Sequence, residues 1–168
     1  MELEILTYPN PMLARQAKPV KEITAEMKRL AANMAETMYA CEGIGLAAPQ
    51  VGVLLRIIVV DVTGPETRTG LLVLVNPELT LLGEEAETEE GCLSVEDYRA
   101  PVIRAERAAV HALDINGNSL DFEADGLLAI CLQHECDHLD GKLFLDRISR
   151  LKRKMYDAKV KKWARQSN

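Results

Sequence analysis

The stretch from Gln133 to Gly141, QHECDHLDG, constrains this chain more than any other part of its sequence. It contains the pattern H-E-x-x-H, in which His134 and His138 are four residues apart and Glu135 follows the first histidine. Residues i and i+4 lie on one face of an α-helix, so both imidazoles can bind one cation with the carboxylate beside it. Apolar residues before the motif indicate that the helix is buried. A catalytic metal held in this way needs a third protein ligand from elsewhere in the chain.

The motif itself does not fix that third ligand. In one class of metallopeptidase the pattern continues to a third histidine, but Phe144 occupies that position here. Cys92, in the segment EEGCLSV, is the stronger candidate because it follows a glycine and its thiolate can point at a metal. The acids Asp146 and Asp157 stay as alternatives, although both follow the end of the helix among basic residues. Spacing favours Cys92 without excluding the acids.

The length of 168 residues allows one domain with a substantial core and is short for two. We therefore expect a single domain over residues 1–168. No apolar segment reaches membrane-spanning length, and acidic residues stand near the N-terminus where a signal peptide would be basic. These features predict a cytoplasmic location, in which the four cysteines are reduced thiols.

The hydrophobic pattern predicts a mixture of helices and strands. In chain order, the predicted elements are an amphipathic helix at 23–40 capped by Thr24, a glycine- and proline-rich loop at 43–52, and strands at 54–62, 71–82, 109–116 and 119–124, the last two forming a hairpin. The metal-binding helix follows from Asp125 and stops at Gly141. The expected architecture is α+β, with mostly antiparallel sheets around this central helix and a further helix at the C-terminus.

The C-terminal segment differs in charge from the rest of the chain. From Arg147 onward there are nine lysine or arginine residues and one acid, a local charge of +8, against −14 over the first 146 residues. The pattern predicts a basic, exposed helix at about 149–166. Such a charge run is often only a solvated face, but its contrast with the acidic body favours an anionic partner.

Three segments occur in a fixed order along the chain: GIGLAAPQVG, EGCLSV and QHECDHLDG. Together they resemble the signature segments of bacterial peptide deformylases, and the similarity covers nearly the whole sequence. The resemblance implies a metallohydrolase that removes the N-formyl group from the initiator methionine of nascent polypeptides and releases formate. It implies that Cys92, His134 and His138 bind one divalent metal, generally Fe(II), while Zn, Ni or Co can occupy such a site in a purified sample.

The same resemblance implies roles for residues around the metal. Glu135 is expected to be the general acid/base when a metal-bound hydroxide attacks the formyl carbon. The side chain of Gln50 and the backbone N–H of Leu93 are expected to bind the oxyanion, and the peptide is expected to lie against the backbone at Ile44 and Gly45. The candidates for the wall of the apolar slot for the methionine side chain are Leu127, Ile130 and Cys131.

One departure from the family pattern concerns the segment after EGCLSV. A proline is usual there, but this chain has Glu96, so the sequence does not determine the path of residues 97–99. The expected partners are the formyl-methionyl nascent peptide and the ribosome, the latter bound by the basic C-terminal helix. We expect neither a membrane nor a specific nucleic-acid sequence among the partners.

Two other interpretations fit parts of the sequence. A zinc metallopeptidase accounts for H-E-x-x-H but lacks a third ligand after the helix. A non-enzymatic ribosome-binding module with a structural metal accounts for the basic C-terminus, but no fourth ligand adjoins the motif. The segment GIGLAA also matches the dinucleotide-binding pattern G-x-G-x-x-A; a helix precedes it and Pro49 follows it, which is the wrong context for that motif.

Overall fold

A five-stranded antiparallel sheet and a buried helix organise the chain in the computed structural model, which describes residues 1–167. The strands are β1 (Gly45–Ala47), β2 (Ile57–Val60), β3 (Leu72–Cys92), β4 (Val95–Leu113) and β5 (Ser119–Asp125), and neighbours in the sheet are consecutive in the chain. The helices are α1 (Ala25–Ala40), α2 (Gly64–Thr67), α3 (Gly126–Leu139) and α4 (Arg150–Gln166), with short 3-10 helices at Pro11–Ala14, Ala48–Val51 and Phe144–Asp146. The predicted α+β class is confirmed.

The strands β3 and β4 are much longer than the hydrophobic pattern predicts. They span 21 and 19 residues and pair along nearly their whole length, with a register shift between Leu82 and Glu85. The outer half of this pair includes the run GEEAETEE, which is mostly exposed and has no apolar alternation. Backbone pairing between neighbouring strands forms this half, and periodicity alone cannot reveal it.

The loop predicted at 43–52 is also more regular than expected. It contains β1, which pairs with β2 through Gly45 and Val60, and then the 3-10 helix Ala48–Val51. Gly52 ends that helix in the left-handed region, with φ of 81°. The segment therefore forms an edge strand of the sheet, held beside α3.

The cap and the buried face of α1 follow the prediction. Thr24 accepts a hydrogen bond from the backbone N–H of Met27, and Met34 and Met38 are fully buried against the sheet. A helix N-cap of this kind satisfies one of the free N–H groups of the first turn. The face of α1 that carries these two methionines packs on β1 and β2.

The helix α3 lies against the sheet and ends where the sequence predicts. Leu132 and Leu139 are fully buried in the same cluster as strand residues such as Ile58 and Leu74. Gly141 follows the helix with φ of 74°, a conformation that glycine adopts without strain. This packing buries both histidines of the motif.

The prediction of an exposed basic helix at the C-terminus is right only in part. Ser149 caps α4 by accepting a hydrogen bond from the N–H of Lys152, but Tyr156 is 2% exposed. It packs in a cluster with Leu13, Val95, Phe144 and Leu145. Tyr156, Val160 and Trp163 have the i, i+4, i+7 spacing of a buried face, which the many surrounding lysines and arginines obscure. Within residues 1–167, none of the helices combines the length and apolar character needed to cross a membrane.

Candidate active site

Three potential metal ligands meet where α3 faces the end of β3. The side chains are Cys92, His134 and His138, and their ligand atoms all lie within 4.8 Å of one another. The two Nε2 atoms are 3.3 Å apart, and Sγ of Cys92 is 3.4 Å from Nε2 of His138. Two imidazole nitrogens and one thiolate facing a common point form a donor set suited to a divalent transition metal. The group therefore fits the metal that the motif implies.

A carboxylate orients the first histidine. Oε1 of Glu90 is 2.8 Å from Nδ1 of His134, so that nitrogen is engaged and Nε2 faces the other two ligands. Arg104 forms two hydrogen bonds to the same carboxylate, at 2.7 and 2.8 Å. A carboxylate behind a metal-binding histidine fixes both its tautomer and its ring orientation. Burial acts to raise the pKa of Glu90, but the bonds from Arg104 and His134 outweigh it and lower that pKa to about 2.

The ion pairs continue beyond Arg104. Its Nη1 donates to Oδ2 of Asp137 at 2.7 Å, and Arg147 holds Asp137 with two bonds at 2.6 and 2.8 Å. Glu90, Arg104 and Asp137 are each less than 10% exposed. Buried charges of this kind are tolerated because each has an opposite partner. We call these four residues, Glu90, Arg104, Asp137 and Arg147, the buried ion chain.

Glu135 is buried beside the three ligands. Its Oε2 contacts no hydrogen-bonding side chain or backbone group in the described part of the chain. Burial raises the pKa of its carboxyl to about 7, with the charge of His134 acting in the opposite direction. A carboxyl whose pKa lies near neutrality can both accept and donate a proton at physiological pH.

The strand β1 passes very close to this carboxylate. A Cβ atom added at Gly45 would lie 2.5 Å from Oε1 of Glu135 and 2.8 Å from Sγ of Cys131. Only a residue without a side chain fits at this point. The backbone of β1 thus forms one wall of the site.

Gln50 presents its amide nitrogen to the same site. Its Oε1 accepts a hydrogen bond from the N–H of Ala47 at 2.9 Å, which fixes the orientation of the amide. Its Nε2 donates to Oγ of Ser94 at 3.0 Å and lies 3.6 Å from Sγ of Cys92. The 3-10 helix Ala48–Val51 therefore places a neutral N–H donor next to the cysteine.

A cavity of about 460 Å³ opens onto these groups. Its lining contains ten of the eleven site residues predicted from the sequence: Ile44, Gly45, Gln50, Cys92, Leu93, Leu127, Ile130, Cys131, His134 and Glu135. The eleventh, His138, is 1% exposed and lies behind the other two ligands. The fold brings all of the candidates together at one place.

Other residues considered as ligands lie elsewhere. Asp146 accepts a hydrogen bond from the N–H of Leu143 and pairs with Arg153, while Asp157 accepts one from Tyr8. Asp146 is thus engaged in the 3-10 helix before α4 and Asp157 on α4, and Cys92 is the residue that joins the two histidines.

Sequence reasoning missed four residues that support the site: Glu90, Ser94, Arg104 and Asp137. Glu90 and Ser94 flank the cysteine in EEGCLSV, and Asp137 lies three residues after His134 on a buried helix. A buried acid needs a positively charged partner, so Asp137 on a buried helix predicts one nearby. Nothing local marks Arg104, in the middle of β4, as that partner.

Comparison with known proteins relates this arrangement to one family. The family model described as polypeptide deformylase matches residues 2–154. A peptide deformylase from Legionella pneumophila is 44% identical, with 99% of this chain and 98% of that chain covered and a TM-score of 0.92. One from Ehrlichia chaffeensis is 39% identical, with 99% of each chain covered and a TM-score of 0.91. A structure of peptide deformylase from Ehrlichia chaffeensis in complex with actinonin is 41% identical over 96% of each chain, with a TM-score of 0.89.

Proposed function

This chain belongs to the polypeptide deformylase family, and we propose that Cys92, His134 and His138 hold its catalytic metal. The family consists of metal-dependent hydrolases that remove the N-formyl group from nascent polypeptides, and this is the function of the chain. The residue assignment rests on one observation. One thiol and two imidazoles lie together beside a buried carboxylate, at the base of a cavity. These three side chains would hold a divalent cation, which when bound would supply Lewis-acid chemistry and lower the pKa of water.

Glu135 is the proposed general acid/base. Its Oε2, which has no hydrogen-bond partner within residues 1–167, accepts a proton from the attacking water and later delivers it to the amine that leaves the formyl carbon. Proton transfer of this kind contributes roughly a hundred- to ten-thousandfold in rate.

Gln50 and Leu93 are the proposed oxyanion donors. Negative charge develops on the formyl oxygen during attack, and a fixed donor stabilises it more than it stabilises the neutral substrate. Nε2 of Gln50 is held next to Cys92 by the bond between its own Oε1 and Ala47. Leu93 follows the cysteine directly, so its backbone N–H is placed by the same turn.

The substrate is proposed to lie along β1, with its methionine side chain in the cavity. The backbone at Ile44 and Gly45 forms the peptide side of the site, because no side chain separates Gly45 from Glu135. The apolar wall is formed by Leu127, Ile130 and Cys131. We propose that actinonin, bound by the Ehrlichia chaffeensis protein, occupies the same cavity here.

The test is formate release from an N-formyl-methionyl tripeptide by protein purified without oxygen and loaded with Fe(II). Glu135→Gln is expected to keep the bound metal and lose at least about a hundredfold in turnover, and Gln50→Leu to lose turnover more than substrate binding. Glu85→Gln, at an exposed position on the outer part of β3, is the matched control and should behave like the wild type. Full activity in Glu135→Gln contradicts its assignment.

Ferrous iron is the metal we propose, because the donor set resembles that of the family. The same thiolate and imidazoles also suit Zn, Ni or Co, and affinity alone does not choose among them. Metal analysis of protein purified under nitrogen, beside turnover of samples reloaded with each metal, tests this choice. A sample that is fully active with zinc and inactive with iron contradicts it.

Docking on the ribosome through α4 is a further part of the proposal, with the reaction taking place in the cytoplasm where nascent chains form. Complete removal of α4 is a poor test, because Tyr156 belongs to the core. The exposed triple variant K154E/K161E/K162E is expected to reduce co-sedimentation with ribosomes, in a salt-dependent manner. Its control, K21E/K28E/R29E, makes the same change of charge on exposed residues away from α4.

Equal co-sedimentation of the two triple variants contradicts docking through α4.

The zinc metallopeptidase and the structural-metal module are not favoured, since the family consists of deformylases.

A further inference from the structure

The ladder between β3 and β4 is interrupted directly beside the metal-binding cysteine. Cys92 pairs with Val95 across the turn, but the next pair along the ladder joins Gly91 to Arg99. Three residues of β4, 96–98, therefore bulge out of the ladder. Bulges next to active sites re-aim side chains, and residues 97, 98 and 99 line the opening of the cavity.

The backbone of this bulge is strained. Asp97 has φ of 48°, in the left-handed region that few residues other than glycine, asparagine and aspartate adopt. Such a conformation at a residue with a side chain persists where the surrounding structure holds it. The contacts of the two neighbouring residues show what holds it.

Both neighbours of Asp97 contact Tyr156 of α4. The backbone carbonyl of Glu96 accepts a hydrogen bond from the Tyr156 hydroxyl at 2.9 Å. The ring of Tyr98 lies 4.7 Å from the ring of Tyr156 and stacks on Phe144 at 6.1 Å. One buried side chain of the C-terminal helix thus fixes the backbone before the strained residue and the ring after it.

We propose that Tyr156 is a positioning residue for the deformylase reaction, which fixes the bulge at 96–98 and so the rim on which the formylated peptide lies. The inference rests on the proposed function of the cavity. It gives α4 an indirect role in peptide binding, through the bulge, in addition to any role in docking. It also defines the path of the loop at Glu96, where the family usually has proline.

The effect of Tyr156 is expected on peptide binding and not on the chemical step. Asp97 and Arg99 are exposed at the mouth of the cavity, whereas His134 and Glu135 are buried at its base. Cys92 is held independently, because its Sγ accepts a hydrogen bond from the N–H of Ser94 at 3.4 Å. A displaced bulge therefore affects the part of a peptide that extends toward solvent.

The experiment compares Tyr156→Phe with Tyr8→Phe. Each variant removes one hydroxyl from the same aromatic cluster, and the two rings lie 6.0 Å apart. The hydroxyl of Tyr8 donates to Asp157 at 2.5 Å and does not reach the bulge. The substrates are an N-formyl-methionyl tripeptide, which extends past the rim, and N-formylmethioninamide, which is shorter.

For Tyr156→Phe we expect KM for the tripeptide to rise about three- to tenfold, as for the loss of one hydrogen bond. We expect kcat for both substrates, and KM for the amide, to stay within about twofold of wild type. Tyr8→Phe should match the wild type for both substrates. Equal KM values in the two variants, or an equal fall in kcat for both substrates of Tyr156→Phe, overturn the proposal.

A second measurement does not depend on turnover. Hydrogen exchange of the backbone amides in residues 93–99 should be faster in Tyr156→Phe than in Tyr8→Phe and the wild type. Equal exchange in all three proteins also overturns the positioning role. A wild-type protein without formate release contradicts the proposed function, while the exchange experiment still decides the role of Tyr156.

Discussion

Replacing Arg104 by methionine tests the buried ion chain most directly. The guanidinium is 3% exposed and makes three hydrogen bonds, two to Glu90 and one to Asp137. Arg104→Met keeps an apolar stem of similar length and leaves two buried carboxylates short of a partner. Asp137 retains both bonds from Arg147, but Glu90 loses its one cationic arginine partner and retains the contact with His134 and a long hydrogen bond from the Thr88 hydroxyl at 3.4 Å.

The expected loss in free energy of unfolding is about 3 to 5 kcal/mol, the usual cost of removing one partner from a buried ion pair. For a chain of this size, that corresponds to a fall in Tm of roughly 6 to 20 °C. The measurement is urea unfolding with a chelator present, so that metal binding does not add to the stability. Arg107→Met is the matched control, because Arg107 is 43% exposed and pairs with the exposed Glu123. It should cost less than about 1 kcal/mol.

A double variant separates charge from packing. In Glu90→Gln/Arg104→Met an uncharged amide replaces the carboxylate that lost its arginine. We therefore expect the double variant to be more stable than Arg104→Met by at least about 1 kcal/mol. A double variant no more stable than the single one would refute the argument that an unpaired charge causes the loss. So would an Arg104→Met protein as stable as Arg107→Met.

Three further predictions concern single residues. Gly45→Ala should reduce formate release on the order of a hundredfold, because its methyl group would lie 2.5 Å from Oε1 of Glu135. Wild-type turnover in this variant would contradict the close approach of β1 to Glu135. Gly141→Ala should cost about 1 to 3 kcal/mol in urea unfolding, since φ is 74° and the new methyl group would lie 2.6 Å from the carbonyl oxygen of Ala14. Asp61 is buried, and although burial acts to raise its pKa, hydrogen bonds lower it below the usual value. The stability that the Asp61 carboxylate contributes is therefore present above about pH 4 and lost on acidification. In thermal unfolding between pH 5 and 3, Asp61→Asn should lose stability less steeply than the wild type. Equal slopes of stability against pH in the two proteins would contradict this.

Features that depend on neighbours within a few residues could be predicted from the sequence. The spacing of His134 and His138 predicts that both lie on one face of a helix, Thr24 predicts the start of α1, and Gly141 predicts the end of α3, and the structure confirms these three local features. These predictions succeed because helix periodicity and caps act over one or two turns. The resemblance to deformylases added the third ligand, which spacing had left open.

Features that depend on distant parts of the chain were decided by the tertiary structure. The sequence alone left Asp146 and Asp157 as alternative ligands, and only the sheet, which ends β3 beside α3, brings Cys92 to the histidines. The same holds for Arg104, which joins Glu90 of β3 to Asp137 of α3. A charge that is buried in the fold has no local signature in the sequence, because its partner becomes a neighbour only when the chain packs.

The C-terminal helix shows both sides of this division. Its composition determined that it is helical and basic, and Ser149 fixed where it begins. Composition did not determine that Tyr156 is buried and bonded to the carbonyl of Glu96. That contact exists because the apolar face of α4 packs on Phe144 and Val95 and so brings the hydroxyl to the rim of the cavity. Local pattern thus determined what each segment is, whereas packing between distant segments decided which side chains act together at the site.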